Sequence, residues 1–294
     1  MDRFLSAYRD VLAQWPVVPE PVDVPTRFGT TRVQVCGPTG GEPLVLLPGG
    51  GATSAVWFAN VEALSGSHRV LAVDVMGDAG RSVPDPRRPM RTGADLMSWL
   101  DQVLDHFVPA VPAVPAVPAV PAVPAAPAVA LCGHSYGAKI ALAYALHAPH
   151  RVRRLALLDP TACFAGMSLR YLLHALPLLV RPSERRLRAF LGWEAGEAAL
   201  DPAWLNLAAI GAAECPTRLA VPRRPRRAQL RGLTAPTRVV LAGRSRAHDI
   251  GRVGAGARRL LPGAAVAVLP DVSHHGMPFQ HAERLNRELL AFLG

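Results

Sequence analysis

The sequence predicts an α/β fold: a mostly parallel, eight-stranded sheet with helices on both faces and a helical cap inserted late in the chain. Three observations support this fold. Short apolar runs alternate with segments whose apolar residues recur at helical spacing. Hydrophobic residues make up 50% of the 294 positions, which is enough to bury a large core. Most of the apolar runs end in glycine-rich or polar turns, and such turns lie together at the carboxyl edge of a parallel sheet. A functional site built from those turns is therefore expected.

Each element follows from its own pattern. Residues 1–18 place apolar side chains on one face of an amphipathic helix, and two short strands then turn at Gly29. Further buried strands are predicted from the apolar runs PLVLL, HRVLAV, AVALCG, RRLALL, TRVVLA and AAVAVL. Helices are predicted at GADLMSWLDQVLDHF, AKIALAYALHAPH and HAERLNRELLAFL. Strands that alternate with helices favour parallel pairing in a sheet covered on both faces.

Two segments interrupt the alternation and set the predicted domain organisation. Residues 108–127 repeat Pro-Ala-Val with proline at every third position, which favours a polyproline II rod. We interpret this low-complexity insertion as a repeat expansion without function, the alternative being a ligand for a proline-recognising domain. Residues 161–232 are predicted to be helices broken at Pro177 and Pro182, forming a cap over the site. The core then comprises residues 1–160 and 233–294.

The charge of the chain does not point to a nucleic-acid partner. The net charge is +10, almost all of it from arginine, and Lys139 is the one lysine. The arginines are scattered, apart from the run PRRPRR at residues 222–227. Because a charge run usually forms a solvated face, no nucleic-acid partner is predicted.

Cysteine usage and the N-terminus predict a cytoplasmic protein. The four cysteines form no C-x-x-C pair and no metal-ligand spacing, so neither a disulfide framework nor a metal site is predicted. Residues 1–18 lack the basic start and apolar run of a signal peptide. No apolar segment is long and unbroken enough to span a bilayer, so no membrane partner is predicted. These patterns do not indicate an oligomeric state.

The strongest chemical signal is the sequence Gly-His-Ser-Tyr-Gly at residues 133–137. This G-x-S-x-G motif follows an apolar strand and opens a helix, the context in which it forms a nucleophile elbow. The turn is so tight that side chains flanking the serine would clash, which explains the two glycines. Such a turn exposes the hydroxyl of Ser135 and directs the N-terminus of the helix at a developing oxyanion. Ser135 is therefore the predicted nucleophile.

With this elbow, the chain resembles the α/β-hydrolase family over nearly its whole length. The segment LLPGGG is similar to the oxyanion loop of the family, with Pro48 where a histidine is usual. The resemblance implies that the backbone N–H groups of Gly50 and Tyr136 bind the oxyanion. The nine residues that begin at Asp74 are similar to the family's D-x-x-G-x-G-x-S turn, which is structural. LPDVSHHGMP resembles the segment that carries the catalytic histidine.

Two adjacent histidines, His274 and His275, compete for the role of base. An imidazole that titrates near neutral pH can take the proton of Ser135 and return it to the leaving group. The family pattern has a small residue before its histidine, and Ser273 occupies that position. The resemblance therefore favours His274, with His275 as the alternative.

The triad acid is where the sequence departs from the family. The family pattern has Gly-x-x-Asp after the strand TRVVLA, but here Gly243 is followed by Arg244, Ser245 and Arg246. Asp249, three residues further on, is the preferred candidate, because a longer loop could bring it to the histidine. Asp159, after the strand RRLALL, is the alternative acid, and a site that uses neither is the third possibility.

These residues predict a serine hydrolase that cleaves a small ester, lactone or thioester through an acyl-enzyme. A serine nucleophile argues against epoxide hydrolases and haloalkane dehalogenases, which need an aspartate at the elbow. A peptidase, a carbon–carbon bond hydrolase or a perhydrolase would use the same triad. A binding or regulatory protein on the same scaffold is the alternative from a different class. The predicted partner is a small-molecule acyl substrate, with no cofactor and no metal.

Overall fold

One mixed sheet organises residues 2–108 and 128–294, the part of the chain that this computed structural model describes. The predicted Pro-Ala-Val rod covers residues 108–127, of which 109–127 lie outside the described residues. The strands are β1 (Glu20–Thr26), β2 (Gly29–Cys36), β3 (Glu42–Leu47), β4 (His68–Val73), β5 (Val83–Pro84), β6 (Val129–His134), β7 (Val152–Leu158), β8 (Thr237–Ala242) and β9 (Ala265–Leu269).

The strand order is β1-β2-β4-β3-β6-β7-β8-β9, with the two-residue β5 paired to β2. Strand β2 runs antiparallel to its three partners β1, β4 and β5. Every pair from β4 through β3, β6, β7 and β8 to β9 is parallel. The prediction of a mostly parallel sheet is therefore confirmed. The eight strands of the main path are the eight predicted, and β5 is an addition too short to leave a pattern in the sequence.

Helices cover both faces of the sheet. The bounds in the described residues are α1 (Asp2–Leu12), α2 (Val61–Ser65), α3 (Gly93–Phe107), α4 (Tyr136–His147), α5 (Leu169–Val180), α6 (Glu184–Ala195), α7 (Pro202–Glu214), α8 (Arg227–Leu230), α9 (Ile250–Leu260) and α10 (Ala282–Leu293). Along β3, Val45 and Leu47 point into a core shared with α3, α4 and α9. Leu44 and Leu46 point into a second core shared with α1, α2 and α10. This alternation follows from the two-residue period of a strand.

The interval between β7 and β8 holds α5 to α8, where the sequence predicts a helical cap. The aromatic and aliphatic side chains of α6 and α7 join the same apolar core as α1. The predicted break at Pro177 is wrong, because this residue lies inside α5. It sits near the C-terminal end, where a proline disturbs only a short remainder of the helix. Pro182, the other predicted break, lies between α5 and α6. Within the described residues, no helix is long and apolar enough to cross a membrane.

Candidate active site

Ser135 occupies a strained turn between β6 and α4. Its backbone has φ 53° and ψ −110°, outside the regions that L-residues usually adopt. The flanking glycines make this turn possible, because a Cβ on Gly133 would lie 2.3 Å from the carbonyl oxygen of Gly137. A Cβ on Gly137 would lie 2.1 Å from the carbonyl oxygen of Leu47. Strain held by such close packing is typical of functional turns.

The elbow serine contacts a histidine that in turn contacts a carboxylate. Ser135 Oγ lies 2.9 Å from His274 Nε2, and His274 Nδ1 lies 2.6 Å from Asp159 Oδ2. These residues follow β6, β9 and β7, whose carboxyl ends meet at one edge of the parallel sheet. All three residues are buried. The arrangement therefore has the connectivity of a Ser-His-Asp triad.

The preference for Asp249 over Asp159 is corrected by this geometry. Asp249 is the N-cap residue of α9, where its Oδ1 accepts the backbone N–H of Arg252 at 2.9 Å. Its side chain is 60% exposed and faces the Arg252 guanidinium at 3.7 Å. The contact to His274 Nδ1 belongs instead to Asp159, the alternative candidate. The physical reason is strand order: β7 lies beside β6, so a residue at its carboxyl end starts close to the elbow.

The predicted oxyanion donors lie side by side at the mouth of the elbow. A Cβ placed on Gly50, in the loop after β3, would lie 3.7 Å from the Cβ of Tyr136. Tyr136 is the first residue of α4, where a backbone N–H has no acceptor within the helix. Gly50 and Ser135 border the same cavity of about 50 Å³. Both predicted donors therefore lie beside Ser135.

The turn that begins at Asp74 holds the predicted oxyanion loop in place. Asp74 is buried and accepts the backbone N–H groups of Ser54 at 2.6 Å and Arg81 at 2.7 Å. Asp78 accepts the N–H of Gly51, the neighbour of Gly50, at 2.9 Å. Burial raises the pKa of Asp78 to about 7, and its hydrogen bonds oppose that rise. These carboxylates act on the loop and contact neither Ser135 nor His274 among the described hydrogen bonds.

Comparison with known proteins identifies the family. A sequence model described as the Alpha/beta hydrolase family matches residues 44–288. This chain belongs to the alpha/beta hydrolase family. It is 33% identical over 162 residues to carboxylesterase YbfK of Bacillus subtilis, a match that covers 55% of this chain and 48% of that one. A second relative from that species, the uncharacterized carboxylesterase nap, is 29% identical over 191 residues, covering 65% of this chain and 56% of the relative.

Solved structures give the same fold over the full length. The crystal structure of carboxylesterase CesB (YbfK) from Bacillus subtilis has a TM-score of 0.85 at 26% identity, covering 99% of this chain and 97% of that one. That of naproxen esterase from Bacillus subtilis also has a TM-score of 0.85, at 24% identity, covering 100% and 98%. In the sequence comparisons, the chain spans about half the length of the curated relatives that it matches.

In this chain, Asp159 has a second imidazole partner, which sequence reasoning missed. His248 Nε2 donates to Asp159 Oδ1 at 2.9 Å, and the backbone N–H of Ala242 donates to the same oxygen at 3.1 Å. Burial alone would raise the pKa of Asp159, but hydrogen bonds from His248 and His274 hold it well below its ordinary value. His248 precedes Asp249 in the loop where the family pattern has its acid, and that position was the available signal.

The electrostatic environment makes His274 more basic than an ordinary histidine. Burial on its own lowers the pKa of His274, but the hydrogen bond to Asp159 and the charge of that carboxylate raise it above the usual value. The His134 ring lies 5.1 Å from that of His274, and burial lowers the pKa of His134 to about 3. It is therefore neutral, and its Nε2 donates to the carbonyl oxygen of His274 at 2.9 Å.

Glu194 of the cap helix α6 fixes the histidine loop and was also missed. It is 1% exposed and accepts the backbone N–H groups of His274 at 3.0 Å and His275 at 3.2 Å. It also contacts His275 Nδ1 at 3.0 Å, so the alternative base faces Glu194 instead of Ser135. Burial would raise the pKa of Glu194, but hydrogen bonding and charge from His275 hold it at about 2.

The sequence also predicts no metal site in this chain. Within residues 2–108 and 128–294, no group of three or more His, Cys, Asp or Glu side chains is placed to hold a metal ion. The four cysteines of the chain are free thiols in the described structure.

Proposed function

We propose that this hydrolase is a carboxylesterase that cleaves a small ester, lactone or thioester through an acyl-enzyme on Ser135. The observation that carries the proposal is the chain of contacts from Ser135 through His274 to Asp159, at 2.9 and 2.6 Å. The similarity to two carboxylesterases of Bacillus subtilis supports the reaction class.

In the first half-reaction, Ser135 Oγ attacks the carbonyl carbon while its proton passes to His274 Nε2. Asp159 accepts the Nδ1–H of His274, which selects the tautomer whose Nε2 is free to take that proton. It also stabilises the imidazolium that forms. The N–H groups of Gly50 and Tyr136 bind the oxyanion of the tetrahedral intermediate. His274 then protonates the leaving alcohol or thiol as the carbon–oxygen or carbon–sulfur bond breaks.

In the second half-reaction, water replaces the leaving group. His274 removes a proton from the water, whose oxygen attacks the acyl carbon of the ester on Ser135. Collapse of the second tetrahedral intermediate releases the carboxylic acid and returns the proton to Ser135 Oγ. No step needs a metal or a cofactor.

The shape of the site supports a small acyl group. The cavity beside Ser135 is about 50 Å³, a few times the roughly 10–15 Å³ that one water occupies on a comparable measure. Leu187 and Leu191 of α6 and Trp204 and Ala208 of α7 line it from the cap side. We therefore propose residues 161–232 as the cap that selects the substrate.

The free cysteines support a cytoplasmic location, which we also propose.

The test is serine-directed labelling together with hydrolysis of p-nitrophenyl esters of rising chain length. The wild type should label with a fluorophosphonate probe and favour short esters. Ser135→Ala should lose labelling and fall in kcat about 10⁶-fold, to the level left by substrate binding and the oxyanion hole. Ser6→Ala, on an exposed face of α1, is the matched control and should behave as wild type.

An unlabelled wild type without esterase activity would favour a binding protein. Labelling without ester hydrolysis would favour a peptidase, a carbon–carbon bond hydrolase or a perhydrolase.

A further inference from the structure

Helix α5 of the cap presents a continuous apolar face to solvent. Its exposed aliphatic side chains recur at spacings of three and four residues, which places them on one side of the helix within an arc of about 120°. Six of the ten large hydrophobic residues that are exposed in the described part of the chain belong to this face. We define the α5 stripe as Leu169, Leu172, Leu173, Leu176, Leu179 and Val180, with exposures between 42% and 71%.

The opposite side of α5 is fixed on the protein. Tyr171 and Ala175 are each less than 9% exposed and belong to the core that α6 and α7 share. The Tyr171 ring lies 6.2 Å from that of His274 and 6.3 Å from that of His275. Because α5 already has a buried face, the stripe is a second apolar surface beyond what folding requires. Its exposure indicates a partner outside the described chain.

Positive charge lies at both ends of the stripe. Arg170 lies in its first turn, and Arg181 and Arg185 follow its C-terminal end, all three exposed. Residues 161–232 contain eleven arginines and five carboxylates. Of those carboxylates, Glu184 is the nearest to the C-terminal end of the stripe in the sequence, and Arg3 of α1 pairs with it at 2.8 Å. An aliphatic stripe beside exposed cationic side chains matches the surface of a lipid bilayer, whose interior is apolar and whose headgroups are anionic.

We propose that the α5 stripe docks on the surface of an anionic lipid bilayer. The aliphatic side chains enter the boundary between headgroups and acyl chains, and the guanidinium groups contact lipid phosphates. A second copy of the chain fits less well. A stable dimer buries about 800 Å² per partner, more than a helix face about 18 Å long and 10 Å wide supplies. This goes against the sequence prediction of no membrane partner, which rested on the lack of a spanning segment and on treating the arginines as a solvated face.

The docking does not depend on the proposed esterase activity, so its test uses vesicle binding alone. The full chain is sedimented with vesicles of phosphatidylcholine, with or without phosphatidylglycerol. The apolar variant is Leu173→Gln/Leu176→Gln/Leu179→Gln, and the charge variant is Arg181→Gln/Arg185→Gln. Val18→Gln is the matched control, because Val18 is 96% exposed and lies far from α5 in the sequence. The thermal midpoint of each variant checks its fold, and Leu176→Gln alone replaces the triple variant if that one unfolds.

The wild type and Val18→Gln should bind anionic vesicles at low salt, and should bind neutral ones more weakly. The apolar variant should bind about tenfold less or worse, and the charge variant should lose the preference for anionic lipid. Two results would overturn the proposal. One is equal binding by the wild type and the folded apolar variant. The other is no vesicle binding by the wild type, including the case in which gel filtration shows a dimer that the apolar variant abolishes.

Discussion

The Asp159 carboxylate has an imidazole partner on each oxygen, His248 on Oδ1 and His274 on Oδ2. His248 Nε2 and the Ala242 N–H hold Oδ1, which leaves Oδ2 directed at His274. Both histidines and Asp159 are buried, so bulk water screens these contacts weakly. We therefore regard His248 as a positioning residue that acts on the base through the acid.

Replacing His248 should change the pH dependence as well as the rate. In His248→Phe, Oδ1 keeps the Ala242 N–H alone, so the carboxylate becomes more basic and holds the proton on His274 more strongly. We expect kcat/KM to fall about tenfold, the equivalent of one hydrogen bond to a charged group. The acid limb of kcat/KM should also move to higher pH. His248→Gln can still donate and should recover part of both effects. A stability loss with an unmoved pH profile would indicate a structural role only.

The raised pKa of His274 also determines how the activity of the wild type depends on pH. As the proposed base, His274 must be neutral, and its pKa is raised above the ordinary 6.5 by Asp159. Activity therefore requires a pH above the raised pKa and declines as the pH falls through it. We expect the acid limb of kcat/KM to have its midpoint above 6.5, measured with a p-nitrophenyl ester whose hydrolysis is first corrected for background. A midpoint below 6.5 would contradict the raised pKa.

Local sequence motifs predict some residues of the candidate site and not others. Ser135 and His274 stand in motifs whose positions along the chain were informative. Asp159 and His248 contact each other across 89 positions, because β7 and β8 are neighbours in the sheet. Pairing of that kind depends on strand order, and a single sequence does not specify which loop reaches the histidine.

The cap helix α6 and the loop after β9 are joined through one buried carboxylate. Glu194 is the acceptor for two backbone N–H groups of that loop and for the His275 ring. A helix on one side of the site thus orients the loop that carries His274. We expect the cap to contribute to catalysis through this contact, in addition to shaping the cavity.

Glu194→Gln should lower stability in a pH-dependent manner. The pKa of Glu194 is about 2 in the folded protein against an ordinary 4.5, so the ionised group stabilises the fold fully above about pH 4.5. That contribution is lost as the pH falls towards 2. We expect the free energy of unfolding of the variant to be lower by about 1–3 kcal/mol at pH 7, with the difference narrowing below pH 4.5. Urea unfolding of both proteins from pH 7 to 3 measures it. A difference that is constant with pH would exclude this origin.

Helices and strands with a clear hydrophobic pattern or a tight glycine turn could be predicted from the sequence. The residues at which they begin and end could not. The eight strands of the main path and the elbow helix α4 follow from apolar runs and glycines. Helix α5 continues through Pro177 because packing of Tyr171 and Ala175 on the core outweighs the local cost of the proline. Burial in the tertiary structure decided that boundary, and the sequence alone did not indicate it.

Over the whole molecule, the N-terminal helix ties the sheet to the cap. Helix α1 packs on α7, and Arg3 pairs with Glu184 and Glu214 of the cap helices. On its inner side, the Tyr8 hydroxyl donates to Asp74 at 3.1 Å and accepts from Gln34 of β2 at 3.1 Å. The first helix therefore contacts both the oxyanion-loop turn and the cap.

Tyr8→Phe should lower the stability of the protein while keeping the aromatic ring in place. The substitution removes a buried hydroxyl that forms hydrogen bonds with Ser54, Asp74 and Gln34. Each of these three side chains then loses one hydrogen-bond partner. We expect the free energy of unfolding to fall by about 1–3 kcal/mol. Denaturant unfolding at neutral pH provides the measurement. An unchanged midpoint would show that the network contributes nothing net to stability.

The proposed triad is tested by the kcat/KM values of two matched asparagine variants. Asp159→Asn should lose about 10⁴-fold, because an amide at this position favours the wrong tautomer of His274. Asp249→Asn should stay within about twofold of wild type, because asparagine caps a helix as well as aspartate does. A large loss in Asp249→Asn together with near wild-type activity in Asp159→Asn would contradict the assignment.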